Sequence, residues 1–201
     1  IKYSPNNTKN IKDEDRKLNV DNIFSMNRIG FSDTVESGYS LTIGSEFKKT
    51  NKKNNEDLFG LSLATVFRNE FEENFPTTSS LGKTASDIVG SVILSPNEIF
   101  DAKYNFSLDN NFDQLKYNDL TTTITVNNFI TEFSYYEENK NIGDENYLQN
   151  TTSIKFNENS SLLFSTRRNN KIDLTEFYDL VYQYKNDCLT AAVKYKKDFY
   201  A

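Results

Sequence analysis

The chain has 201 residues, 36% hydrophobic and 14% aromatic, with 29 acidic and 23 basic side chains, a net charge of -6 and no histidine. A mean hydropathy of -0.68 and the lack of any apolar run long enough to cross a bilayer exclude a helical membrane protein, while 16 Phe and 12 Tyr exclude a disordered chain. Neither sign of charge forms a long block, which argues against nucleic acid as a partner, and missing histidine removes the usual general base of Ser and Cys hydrolases and the commonest metal ligand.

From Ile1 the chain opens in a polar, charged run with no signal peptide, so it reads as a fragment or a trimmed mature region whose address lies upstream. Residues 1–34 are expected to be a polar lead-in, lumenal or looped, and residues 35–201 to be strands. Tyr39, Leu41, Ile43 and Phe47 alternate with Ser40, Thr42, Gly44 and Glu46, the two-residue period of a strand with one apolar face. Phe59, Leu61, Leu63 and Phe67 repeat the pattern after a Lys/Asn connection. Beyond a polar loop around Pro76 comes Ile88 to Leu94, then a tight turn at Ser95-Pro96-Asn97. The return strand, Phe100 to Leu108, sets Phe100, Ala102, Tyr104, Phe106 and Leu108 against Asp101, Lys103, Asn105, Ser107 and Asp109. The same grammar continues over Leu120–Val126, Phe129–Tyr135, Tyr147–Phe156, Leu162–Thr166, Tyr178–Tyr184 and Leu189–Tyr195.

About ten strands of roughly nine to thirteen residues, joined by short turns and longer polar loops, match an all-β, antiparallel, up-and-down transmembrane β-barrel segment, in which about nine to eleven tilted residues cross the bilayer. Soluble strands average nearer five or six. Tyr39, Phe47, Phe59, Phe67, Tyr178, Tyr184, Tyr195 and Phe199, near strand ends, suit aromatic girdles at the two interfaces.

No constellation for catalysis emerges, and neither a cofactor nor a metal is expected. Asp109, Asn111 and Asp113 open with calcium-loop spacing, but Gln114 and Leu120 stand where Gly and Glu are required. Asp13, Glu14 and Asp15 lie in a charged stretch with no apolar pocket to raise a pKa. Lys48, Lys49, Lys52 and Lys53, and the Arg167-Arg168 pair, can meet lipid phosphates or simply occupy turns. Cys188, the single cysteine, is a free thiol, a buried small residue or half of a bridge to something outside this sequence. Before the first long strand, Arg28 can make bidentate pairs with Asp33 or Glu36 that would hold an irregular segment in a lumen, or the stretch is an ordinary polar loop.

Asp21-Asn22-Ile23-Phe24, followed by Asn27-Arg28, Asp33, Glu36 and Gly38, resembles the segment DNLFxxNRF…D…E.G of the LptD (OstA) family of lipopolysaccharide-assembly proteins. Ser86-Asp87-Ile88-Val89-Gly90 resembles its SDxxG strand, a hairpin through Pro96 follows, and Asp187-Cys188 resembles the cysteine near its C-terminus. The resemblance covers about residues 15 to 200. Gly30-Phe31 and Asp33-Thr34 replace the family's Ser-Gly and Asp-Arg, so a salt bridge from that second Arg is absent, and one terminal Cys stands where some members have a pair.

The resemblance implies the last ten or so strands of a large barrel in the outer membrane of a Gram-negative bacterium. An LptE-like lipoprotein would plug that barrel, and an upstream N-terminal domain would feed it lipopolysaccharide from the periplasmic bridge. Lipopolysaccharide would leave through a lateral opening of which Leu189, Ala191, Val193, Tyr195 and Phe199 line one lip, and Cys188 would bond to the upstream periplasmic region. Two other expectations stand beside it: a small self-contained outer-membrane channel, or a soluble all-β surface binding module.

Overall fold

The computed structural model describes residues 1–14, 16–52, 56–139 and 144–200. Eleven strands run antiparallel in the order β1 to β11, each beside its neighbour in sequence. They are β1 (Lys2–Ser4), β2 (Gly38–Thr50), β3 (Asp57–Arg68), β4 (Ile88–Asn97), β5 (Phe100–Leu108), β6 (Leu115–Val126), β7 (Phe129–Glu138), β8 (Asn146–Lys155), β9 (Ser160–Asn169), β10 (Leu174–Lys185) and β11 (Thr190–Asp198). One 3-10 turn, Ser80–Gly82, interrupts the β3–β4 connection. The all-β, up-and-down expectation therefore holds. The strand count differs from ten only by β1, whose three residues are too few to show a period.

Strand limits move outward where the sequence pattern stops short. β6 begins at Leu115, five residues before the first apolar repeat, because Lys116, Asn118 and Asp119 pair in the ladder although they break the alternation. Ser95 and Pro96 lie inside β4, and the turn falls at Glu98-Ile99. It is fixed by Asn97, whose Oδ1 accepts from the Ile99 and Phe100 N–H groups at 2.9 and 3.0 Å. A side-chain acceptor of that kind mimics a backbone turn.

The residues form two compact units: Ile1–Val92 with Tyr104–Asn118 and Glu138–Asp144, and Ile93–Lys103 with Asp119–Glu137 and Glu145–Ala201. The first holds an apolar core of Ile11, Leu18, Ile23, Ile29, Ala64, Val66, Phe75, Leu81 and Val89. Four of these come from the lead-in, two from β3, two from the β3–β4 connection and one from β4. Backbone bonds from Ile11 N–H to Asn74 O (2.9 Å) and from Thr77 N–H to Lys12 O (3.2 Å) tie the lead-in to that connection.

Across β2 and β3 one face lies open and apolar, and the other is covered by the lead-in. Register pairs Leu41 with Phe67 and Phe47 with Leu61 on one face, and Ser40 with Arg68, Thr42 with Val66 and Gly44 with Ala64 on the other. The first face is open, with Ile43 53% and Phe47 60% exposed, while Ser40 and Arg68 are buried under the lead-in. On the open face Phe47 meets Phe59 with centroids 6.1 Å apart.

In the second unit apolar rows again lie open over β8 to β11. Ile154, Leu162, Tyr182 and Val193 form one cross-strand row, and Thr152, Phe164, Leu180 and Tyr195 the next. Tyr182, Val193, Leu180 and Tyr195 are all exposed. The opposite face carries Arg167 paired with Glu176 at 2.8 Å and Lys194 paired with Asp179 at 2.8 Å.

Candidate functional site

The lead-in is the part of the chain that needs most explaining, because a polar, irregular segment sits against strands only if its backbone and charges find partners. Its turns are closed by asparagines. Asn22 Oδ1 accepts from Asn19 N–H at 2.9 Å and its Nδ2 donates to Lys17 O at 2.7 Å. Asn27 Oδ1 accepts from Gly30 N–H at 3.0 Å, and its Nδ2 donates to Phe31 O. Gly30 has φ +79°, in the left-handed region that glycine enters without strain. Between these turns Ile23 and Ile29 are driven into the core.

At the centre is Arg28. Its Nε donates to Glu36 Oε1 and Oε2 at 3.0 and 3.2 Å, and its Nη2 donates to Glu36 Oε2 at 2.6 Å. The remaining donors reach β2: Nη2 to Ser40 Oγ at 2.6 Å and Nη1 to Thr42 Oγ1 at 3.0 Å. Arg68, from the inward face of β3, brings Nη1 to 3.5 Å from Glu36 Oε2 and lies over the Phe75 ring at 4.9 Å. Lys2 Nζ of β1 closes the group at 3.3 Å from Glu36 Oε1. Three cations thus surround one carboxylate, and the Arg28, Glu36 and Arg68 side chains are 1–2% exposed.

A second carboxylate balances this excess. Glu72 accepts hydrogen bonds from Ser37 Oγ and from Thr8 Oγ1, the latter at 3.1 Å. Burial pushes the Glu72 carboxyl up, but hydrogen bonds from Ser37, the Asn74 N–H and Thr8, with the charge of Arg68, outweigh it and leave the carboxyl below its ordinary value. Lys17 pairs with the buried Glu138 at another point of the lead-in. Glu36 is enclosed by the Arg28 and Arg68 guanidinium groups and the Lys2 ammonium. The cluster is a clamp that fastens the lead-in to β2 and β3.

Of the residues singled out in the sequence, Arg28, Glu36 and Gly38 converge here. Gly38 has φ +73°, and a Cβ there would lie 3.2 Å from Asn69 Oδ1. Phe24 lies across Gly44 on the inward face of β2, where a Cβ would come within 2.6 Å of its ring. Asp33 does not join Arg28. It pairs with Lys9 at 2.6 Å on the surface, since Glu36 already fills the guanidinium fork. Asp21, Asp13 and Glu14 are exposed, while Asp15 lies outside the described residues.

Ser86 and Asp87 belong elsewhere. Ser86 is fully buried and its Oγ accepts from Val66 N–H at 2.9 Å, fastening β3 to the start of β4. Gly90 leaves room on the open face for Phe106, whose ring a Cβ would strike, with Leu63 Cδ2 2.9 Å away. Asp109 accepts from Asn111 N–H at 3.0 Å and pairs with Lys116 at 3.6 Å, so the Asp109–Asp113 run is a charged turn. Among the described residues no three metal-ligating side chains gather.

Lys48 pairs with Glu46 at 2.8 Å, and Lys53 is outside the described residues. Arg167 lies over the Tyr147 ring at 3.9 Å, whereas Arg168 pairs with Asp173. Cys188 is exposed in the β10–β11 turn with a free thiol. Ala191, Val193 and Tyr195 stand on the open face of β11, while Leu189 and Phe199 flank the strand.

Sequence reading did not reach Arg68, Lys2, Ser40, Thr42 or Glu72. Arg68 did carry a signal, a charge at an inward position of an otherwise apolar and small series, Gly60, Ser62, Ala64 and Val66. No family model matches the chain, and no curated protein matches it.

Proposed function

We propose that residues 35–201 cross an outer membrane as consecutive barrel strands, and that the chain is the C-terminal part of an LptD-like translocon inserting lipopolysaccharide into the outer leaflet. One observation carries the membrane half of this reading: the open faces of β2–β3 and β8–β11 are apolar, while the opposite faces bear the ion pairs and, on β2–β3, the buried lead-in. Hydrocarbon outside and a wet lumen inside give that arrangement its lowest free energy, because half of every strand then meets its preferred solvent. The segment Asp21 to Gly38 supports the family half, since two of the residues that resemble the family, Arg28 and Glu36, form the buried pair that holds it.

The function is translocation, not catalysis. An amphiphile crosses a barrel wall only where a polar lumen meets a weakly paired seam, and β11, at one end of the strand order, supplies such an edge. Lipopolysaccharide, a plug lipoprotein and an upstream periplasmic domain are the partners this reading requires. Cys188, exposed in a short turn, is placed to bond to that domain.

The purified chain should need detergent to stay folded; a monodisperse, stably folded form in plain buffer overturns the membrane reading. Depleting the full-length protein in its host should leave newly made lipopolysaccharide beyond the reach of a surface label. Non-reducing electrophoresis of full-length protein should show faster migration that Cys188→Ser abolishes, and unchanged migration removes the bridge.

A further inference from the structure

The Ser86-Asp87 pair leaves one group unexplained by the clamp or by the membrane faces. Asp87 is 4% exposed, yet its Oδ1 has no hydrogen-bond partner among the described residues, and its nearest cation, Lys83 Nζ, is 4.0 Å away. Burial holds the Asp87 carboxyl above its ordinary value. Thr78 Oγ1 is likewise closed off and unpartnered. Both residues line one cavity of about 190 Å³, bounded by the hydroxyl run Thr77 to Ser80 and by Lys83 and Lys116. That volume is roughly six waters at about 30 Å³ each, enough for one small ring or a short polyol.

The lining restricts what can fill it. A bare cation would face the Lys83 and Lys116 ammonium groups. A bare anion would press lone pairs against Asp87 Oδ1, which needs a donor. An apolar guest would leave the carboxyl and the Thr78 hydroxyl unpaired, each at the cost of a buried polar group. A vicinal polyol meets all of them, because each hydroxyl donates to one oxygen while accepting from an ammonium or a hydroxyl on the other side.

We infer that the cavity between the 77–80 hydroxyl run and Asp87 is a binding site for a single hydroxyl-rich ring of monosaccharide size, either a free sugar or the sugar of an amphiphile. The site rests on the cavity alone and goes beyond the membrane reading. With one carboxylate, hydroxyl and ammonium contacts and no aromatic platform in its lining, it binds weakly.

Saturation-transfer NMR on the full chain, in a detergent without a sugar headgroup, tests this with glucose and an alkyl glucoside as probes, and phosphorus-31 line broadening in the same samples tests inorganic phosphate. Glucose or the alkyl glucoside should give a saturable signal. Equal affinity for the two points to a free sugar, and tighter binding of the glucoside to an amphiphile. Thr78→Val and Lys83→Gln should each weaken binding at least fivefold with unchanged near-ultraviolet circular dichroism. Binding of phosphate but neither sugar, no saturable signal from any probe, or wild-type affinity in both variants overturns the inference. Detergent dependence of folding is read in the same samples without probe, so failure here leaves the membrane reading standing or falling by itself.

Discussion

The two units solve the burial problem in opposite ways. Among the described residues, all ten buried hydrophobic side chains, from Ile11 to Tyr117, belong to the unit that contains the lead-in, where an irregular segment supplies a core on the inward face of β3 and β4. In the other unit no hydrophobic side chain among the described residues is buried; Thr131 and Ser160 are, while Leu180, Tyr182 and Val193 lie open. A soluble unit of that size without a hydrophobic core has nothing to offset its chain entropy. On the membrane reading proposed above, surrounding hydrocarbon takes that place.

That contrast breaks most sharply at the clamp. Glu36→Gln leaves Arg28 and Arg68 buried without their counter-charge, and should cost about 3–5 kcal/mol in detergent-solubilised protein, the range for breaking a buried pair from one side. Denaturant titration followed by proteolysis should show the lead-in released first, with β8–β11 unaffected. In the coreless unit the corresponding blow is Leu180→Arg, which puts a charge in the middle of the open rows. It should cost about 2–4 kcal/mol in lipid, while Gln183→Arg, on the polar face of the same strand, should be close to neutral. Equal costs for the two would mean that both faces of β10 meet the same solvent. A smaller effect separates packing from solvent. Gly90→Ala drives a methyl into the Phe106 ring and should cost about 1–3 kcal/mol, recovered in part by Phe106→Leu.

How far the sequence foretold this differs between the two units as well. β5 matches its expected limits at both ends, Phe100 and Leu108, because every second residue from 100 to 108 is apolar and the period leaves no choice. β9 and β10 were legible only in their apolar centres. Leu162 to Thr166 grows to Ser160–Asn169 because Ser, Arg and Asn extend the ladder through backbone bonds that no side-chain pattern records. The clamp was half legible. Arg28 and Glu36, eight residues apart, share a short segment that announces a local pair. Arg68 and Glu72 come from the far side of β3, and their approach depends on the β2–β3 register, which places Arg68 opposite Ser40. Register over thirteen residues is a property of the folded hairpin and its hydrogen bonds, not of either strand alone.

The gentlest probe of the core-bearing unit is acid, because two of its carboxyls outside the strands respond to burial in opposite senses. Hydrogen bonds and the charge of Arg68 hold Glu72 below its ordinary value, so its stabilisation is full above the pKa of the unfolded chain and disappears as pH falls through the folded value. Burial holds Asp87 above its ordinary value, so its ionisation opposes folding, and that penalty grows as pH rises from the unfolded pKa through the folded one. Glu72→Gln should therefore flatten the loss of stability below about pH 4, near the ordinary glutamate pKa, and change little below the folded value, where both forms are neutral. Asp87→Asn should raise the denaturation midpoint at pH 7 and leave it unchanged at pH 3. If Asp87→Asn lowers the midpoint at neutral pH, the carboxylate has a partner that stabilises its charge.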